Sequence, residues 1–231
     1  MNILALDTSN ETLAVAIQKD GKLAAEKMTN IKKDHSSRLM PAVVGLMEDA
    51  ALEPEHLDKI IVGRGPGSYT GVRIGVTTAK AMAWALDIPI VPVSSLRALA
   101  YNGRYFDGYI WTFFNARRNA MFTALFQFEN GKLVDVIGEQ YAVLDDWFAA
   151  LKDLPEKAIL CISPHIDLFK ETIELELKNR TLFASDANRY LRPGNLLMEG
   201  AEQQEVPVHF VKPHYLRMTE AEANLLKGKE Q

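Results

Sequence analysis

The chain has 231 residues and a mass of 25.8 kDa, enough for one large domain or two small ones. Hydrophobic residues make up 48% and charged residues 24%, which excludes disordered and collagen-like classes. Twenty-six Lys and Arg against 30 Asp and Glu leave a net charge of −4; phosphate neutralisation supplies most nucleic-acid affinity, so any RNA contact must run through a partner or a small local patch.

The amino end meets a carboxylate at Asp7 without a basic leader, and no apolar run approaches the ~18–20 residues of a membrane helix, so a cytoplasmic protein with no membrane partner is expected. Residues 3–6 form a short apolar run ending in the polar turn Asp7-Thr8-Ser9-Asn10-Glu11. Leu13, Val15 and Ile17 then alternate with smaller or polar residues, which predicts a hairpin. Asp20-Gly21, a favoured two-residue turn, leads into a third antiparallel strand at 22–26. Helical periodicity over 34–52, a buried strand at 59–62, a helix over 71–86 and a strand at 88–93 complete a βββαβαβ order.

The same events then recur. Residues 109–114 are apolar, 115–119 form a polar turn, 121–128 are β-branched and aromatic, and Asn130-Gly131 leads into 132–136. A helix near 145–151, a strand at 158–162, a helix over 166–177 and another near 188–203 follow. The lone Cys161 lies inside that apolar strand, so neither an intrachain disulfide nor a thiolate metal cluster is available. The expected architecture is α/β, with two duplicated lobes at 1–104 and 105–217, each a mixed sheet flanked by helices. The remaining 218–231 have little to bury and are expected to form a flexible tail.

Three places invite chemistry. The loop from Gly63 to Arg73 joins a strand to a helix, and glycine-rich loops at that junction can present N–H groups to phosphate. It fits neither the Walker nor the dinucleotide spacing; alternatively its glycines permit positive φ while Ser68 or Thr70 caps the helix. Asp7-Thr8-Ser9 could hold a hydrated Mg²⁺ and a terminal phosphate, or could simply be good turn formers. The five histidines include no i, i+3 or i, i+4 pair, and no Gly-x-Ser-x-Gly elbow occurs, so neither a metalloprotease platform nor a hydrolase nucleophile is predicted.

The long helices of the first lobe carry a stronger pattern. Leu39, Val43, Leu46, Met47 and Ala50 form one stripe, and Met40, Val44 and Ala51 form another beside it. This arc is wider than packing on one sheet requires, so part of it can face a second body. The next helix is apolar or small on nearly every side, with Gly71, Gly75, Ala79 and Ala83 spaced so that another helix can come close. A helix buried within its own lobe would show the same pattern.

Ile3-Leu4-Ala5-Leu6-Asp7-Thr8-Ser9, the 63–73 loop and Pro213-His214-Tyr215-Leu216-Arg217 together resemble the bacterial TsaB (YeaZ) family, over nearly the whole chain. The resemblance implies an ASKHA (actin/Hsp70-like) fold and a dimerisation subunit of the tRNA threonylcarbamoyladenosine machinery. It implies pairing with a catalytic paralogue of TsaD type and an ATPase of TsaE type for threonylcarbamoyl transfer to N6 of adenosine 37 in tRNAs reading A-starting codons. The paralogue's His-x-x-x-His metal pair is replaced here by Ser95 and Leu99. Its second-lobe glycine turn is replaced by Ser163-Pro164-His165, and Asn115 stands where relatives have Asp.

A non-catalytic scaffold is therefore expected, with no catalytic residue, no metal and ATP binding weak or absent. Asp7, Thr8, Ser9, Gly65 and Gly67 would be the vestige of a phosphate site. The expected partner contacts are Leu39, Val43, Met47, Val72, Gly75, Val76, Ala79 and Ala83, used for a homodimer in isolation and for the heterodimer when the paralogue is present, with tRNA engaged only through the complex. The alternatives are an ATPase or kinase-like enzyme of the same fold with its own nucleotide site and, more remotely, a peptidase.

Overall fold

The computed structural model describes residues 1–31 and 34–217; the tail expected at 218–231 lies outside them. The first lobe contains β1 (Ile3–Asp7), β2 (Leu13–Lys19), β3 (Lys22–Thr29), α1 (His35–Asp49), β4 (Lys59–Gly63), α2 (Tyr69–Leu86), β5 (Ile90–Val93) and α3 (Ser95–Ala100). Its sheet runs β3-β2-β1-β4-β5, with β1 antiparallel to β2 and parallel to β4. The second lobe contains β6 (Tyr109–Arg117), β7 (Ala120–Glu129), β8 (Lys132–Val143), α4 (Leu144–Lys152), β9 (Ile159–Ile162), α5 (Ile166–Leu177) and β10 (Thr181–Phe183). Its sheet, β10-β9-β6-β7-β8, has the same internal order. The duplicated mixed sheets are those of the ASKHA fold. No described helix is long and apolar enough to cross a membrane.

Side-chain alternation along the central strands builds three layers. Leu4 and Leu6 of β1 face α1 and α2, whereas Ile3 and Ala5 face an inner layer. In β6, Trp111 and Phe113 face α4 and α5, whereas Ile110 and Phe114 turn to the same inner layer. That layer contains α3 and α6 (Pro193–Ala201), and its apolar side chains come from both lobes. The chain boundary near 104 thus divides the sheets, while α6 returns to cover the first one. Gly200 allows the approach, because a Cβ there would lie 2.4 Å from Ile61 Cδ1.

Several bounds differ from the sequence reading. β8 continues to Val143 past Gly138, because β7 supplies a partner strand as far as Ala120. α6 starts only at Pro193, whose missing N–H suits the first helical position. α3 and β10 were not predicted: six and three residues are too short to show a period. Cys161 is fully buried in β9, and burial pushes its thiol up.

The eight residues expected to contact a partner are all buried in the first lobe's own core, beneath α1 and α2. Ala79 and Ala83 have no exposed surface and Val76 is 3% exposed. The expectation is corrected accordingly: small residues on α2 bring it close to its own sheet. The outward sides of the same helices carry Met40, Val44, Thr77, Ala81 and Trp84 instead, with Trp84 73% exposed. Ala79→Trp and Val76→Glu should therefore unfold the chain rather than split an assembly. Each should cost about 3 kcal/mol or more, by overpacking and by an unpaired buried charge respectively. Urea denaturation followed by circular dichroism checks this, and a variant as stable as the parent would place these residues outside the core.

Candidate functional site

The end of β1 brings the predicted vestigial residues together, but facing inward. Asp7 is 1% exposed, and Thr8 and Ser9 have no exposed surface. Asp7 Oδ1 accepts the Ser9 N–H at 2.7 Å, and Oδ2 accepts the Ser95 hydroxyl at 2.5 Å. The carboxyl lies so close over Gly63 that a Cβ there would sit 1.7 Å from Oδ2. Thr8 Oγ1 donates to the Gly71 carbonyl at 2.7 Å, and the Ser9 carbonyl accepts from Ser68 N at 2.7 Å.

These bonds explain the glycine-rich loop without a phosphate. Ser68 caps α2 by accepting from Gly71 N, one of the two capping residues the sequence offered. At Gly71, a Cβ would meet the Thr8 carbonyl at 2.2 Å. Gly67 is packed as closely on Ser9, and Gly65, at φ +96°, accepts the Ser95 N–H through its carbonyl. The loop folds onto the β1 turn, and both sets of polar groups are occupied with each other.

Burial holds the Asp7 carboxyl above its ordinary value of 3.8, although hydrogen bonds from Ser95 and Ser9 and the nearby His35 oppose the shift. Ser95 and Leu99 are fully buried on α3. Among the described residues, no three His, Cys, Asp or Glu side chains converge as a cation site.

A cleft of about 1200 Å³ opens between the lobes. Its walls include Asn10 and Tyr69 from the first lobe, Arg117, Phe122 and His165 from the second, and Arg217 from the carboxy-terminal strap. Asn115 Oδ1 accepts the Arg117 N–H at 2.8 Å, so its amide serves its own turn. Ser163 Oγ accepts the His165 N–H at 2.9 Å, so the Ser-Pro-His segment likewise closes on itself. The strap is tied to the first lobe by His214 N donating to the Arg64 carbonyl and by Lys80 Nζ donating to the Val211 carbonyl. Arg217 then reaches across to the Ala116 carbonyl of the second lobe at 3.4 Å.

Behind the cleft, Arg97 of α3 binds Glu199 of α6 through Nε at 2.9 Å and also Asp135 and the Leu133 carbonyl of β8. Beside it Glu139 is pushed up by burial, opposed by the Ser94 hydroxyl and by Arg97 and Arg64. Sequence reasoning missed this group, because the four chain segments that meet here share no local pattern.

The family model described as "TsaD: tRNA N6-adenosine threonylcarbamoyltransferase" matches residues 22–225. The "tRNA threonylcarbamoyladenosine biosynthesis protein TsaB" of Bacillus subtilis is 45% identical over 230 residues, covering all of both chains. The chain belongs to the TsaB family. The Escherichia coli TsaB is 35% identical over 100 residues, 43% of each chain. The solved structure of YeaZ from Pseudomonas aeruginosa superposes with a TM-score of 0.77 at 24% identity, over 93% of this chain and 99% of that one, which shows the shared fold.

For this TsaB chain, then, the role is in tRNA threonylcarbamoyladenosine biosynthesis, and the groups at the end of β1 hold its first lobe closed. Asp7→Asn tests the account through pH. A carboxyl whose folded value is raised holds a proton that the unfolded chain has lost, so its contribution to stability falls as pH rises from the ordinary value of 3.8 through the folded value. Asn does not titrate. The stability of Asp7→Asn relative to the parent should increase between pH 4 and pH 7 in urea titrations, and a constant difference would contradict the burial account.

Proposed function

We propose that this chain is a non-catalytic scaffold. In this reading it pairs with a TsaD-type catalytic paralogue and works with a TsaE-type ATPase in threonylcarbamoyl transfer to N6 of adenosine 37 in tRNAs that read A-starting codons. The observation that carries the reading is the inward closure of Asp7, Thr8 and Ser9: a phosphate or its metal ion needs these groups presented to the cleft, and here they bind Ser95, Gly71 and Ser68. Ser95 and Leu99 also leave the metal-pair positions without imidazoles.

The outward faces of α1 and α2 are the pairing surface in this reading. Met40 and Val44 on α1 are 41% and 49% exposed, and α2 exposes Trp84, Ala81 and Thr77; these residues are the strip assigned to pairing. The match of the transferase model over residues 22–225 supports a paralogue with an equivalent helix pair, which in this reading meets α1 and α2 about a pseudo-twofold axis. The same strip meets its own copy when the paralogue is missing. The complex then works where tRNA is modified, in the cytoplasm.

Val44→Arg and Ala81→Arg change only this strip. Both variants should retain the parent's circular dichroism, lose association with the paralogue in size-exclusion chromatography, and fail to restore the modified nucleoside in cells lacking the parent gene. Normal association would move the pairing surface elsewhere on the molecule.

The open cleft favours a second reading, an ATPase or kinase-like enzyme with its own nucleotide site. Calorimetry with Mg-ATP on the isolated chain separates the two. The scaffold reading expects no binding at micromolar concentrations, and micromolar binding abolished by a cleft substitution would favour the enzyme.

A further inference from the structure

We propose that the rim of the interlobe cleft is a contact for unstacked, single-stranded RNA. The proposal rests on the family's role in tRNA modification and adds a direct RNA contact to the scaffold reading. Tyr69, at the first turn of α2, and Tyr215, on the strap, stack with ring centroids 4.9 Å apart and an interplanar angle of 26°. They come from distant parts of the chain and remain 42% and 38% exposed. The Arg73 guanidinium lies 4.9 Å from the centre of the Tyr69 ring and donates to its hydroxyl at 2.6 Å. A guanidinium and two rings thus form a layered, solvent-facing platform at the cleft mouth.

Across the cleft, the β6–β7 turn holds three consecutive non-glycine residues in the left-handed region: Arg117, Arg118 and Asn119, at φ 65°, 52° and 57°. Such a run is costly for side-chain-bearing residues, and here it places an exposed Arg117 on the opposite rim. Arg217 bridges the two rims, with its guanidinium 5.2 Å from the centre of the Tyr141 ring.

Aromatic faces beside guanidinium groups suit a chain of alternating bases and phosphates, with the bases stacking and the arginines meeting the backbone. A mononucleotide is less well served, because the polar groups that would grip its phosphates are closed inward at the end of β1. Of the acids in the cleft, Asp167 binds Arg189 at 2.5 Å and Glu11 lies 3.9 Å from His165; Asp34 stands at the head of α1. With a net charge of −4, the chain does not grip RNA alone at high affinity, so the rim adds to contacts made by the partner.

The test measures tRNA affinity of the assembled complex by fluorescence anisotropy for Tyr215→Ala, Arg117→Ala and Tyr215→Phe. The first two should weaken binding about five- to tenfold while the complex stays intact in size-exclusion chromatography, and Tyr215→Phe should stay within twofold. Arg117→Ala should also reduce the slope of log affinity against log salt by about 0.7, the value for one phosphate on a single strand. Unchanged affinity in an intact complex overturns the proposal.

A parallel measurement does not require pairing: at low salt and at concentrations high enough to populate a weak complex, a seven-nucleotide single-stranded RNA should quench tyrosine fluorescence of the isolated parent chain and not that of Tyr215→Ala. No quenching of the parent, or displacement of the RNA by equimolar ATP, overturns the RNA assignment whether or not the paralogue binds. Loss of pairing alone, with quenching intact, counts against the scaffold reading and leaves the RNA contact supported.

Discussion

The carboxyl of Asp7 is the point on which the first lobe closes. It leaves the end of the central strand β1 and is held by the hydroxyl that begins α3 and by the backbone of its own turn, over a glycine of β4. Removing a carboxyl from water is unfavourable unless hydrogen bonds replace the solvent, and both oxygens are so provided. Thr8 and Ser9 extend the arrangement to the start of α2. Two helices that follow different strands, α2 after β4 and α3 after β5, are thereby fixed to one turn. The polar groups of the turn thus bind one another and the starts of these helices.

Rigidity between the lobes comes from a second source. The inner faces of both sheets share one apolar layer with α3 and α6, so separating the lobes would expose side chains from both halves. The Arg97 group adds direction to that burial. Its guanidinium meets a carboxylate of α6 together with a carboxylate and a carbonyl of β8, and the planar fork permits several aligned bonds at once. Glu199, at 1% exposure, would be unfavourable without that cation. Burial and aligned bonds together fix the two lobes to one another.

Much of the fold was legible because the chain announces it twice. The strand, polar turn, strand and Asp-Gly or Asn-Gly turn at the start of each half need only local periodicity and turn chemistry, and both meanders form with those turns. The helix over residues 166–177 was also legible, since its apolar spacing is uninterrupted. The short α3 was not, and neither was the late start of α6, because six residues show no period and Pro193 fits loop and helix start alike. At the site, the polar turn Asp7-Thr8-Ser9 and the glycine-rich loop could be read directly from the order of residues. The role of Ser95 as a donor to Asp7, 88 positions earlier, could not.

By itself the sequence determined the duplicated α/β order and the family, since these depend on residue type and spacing along the chain. It also showed that α1 and α2 carry more apolar surface than one contact needs, but an apolar arc does not state which side meets the sheet. Only the tertiary structure decided that Val76, Ala79 and Ala83 lie inside while Met40, Val44 and Trp84 lie outside, because that depends on where β1 and β4 pass beneath the helices. The same holds for the tyrosine pair at the cleft. Its rings meet only after the strap has crossed the glycine-rich loop, where His214 N reaches the Arg64 carbonyl, and no local pattern records a contact between such distant parts of the chain.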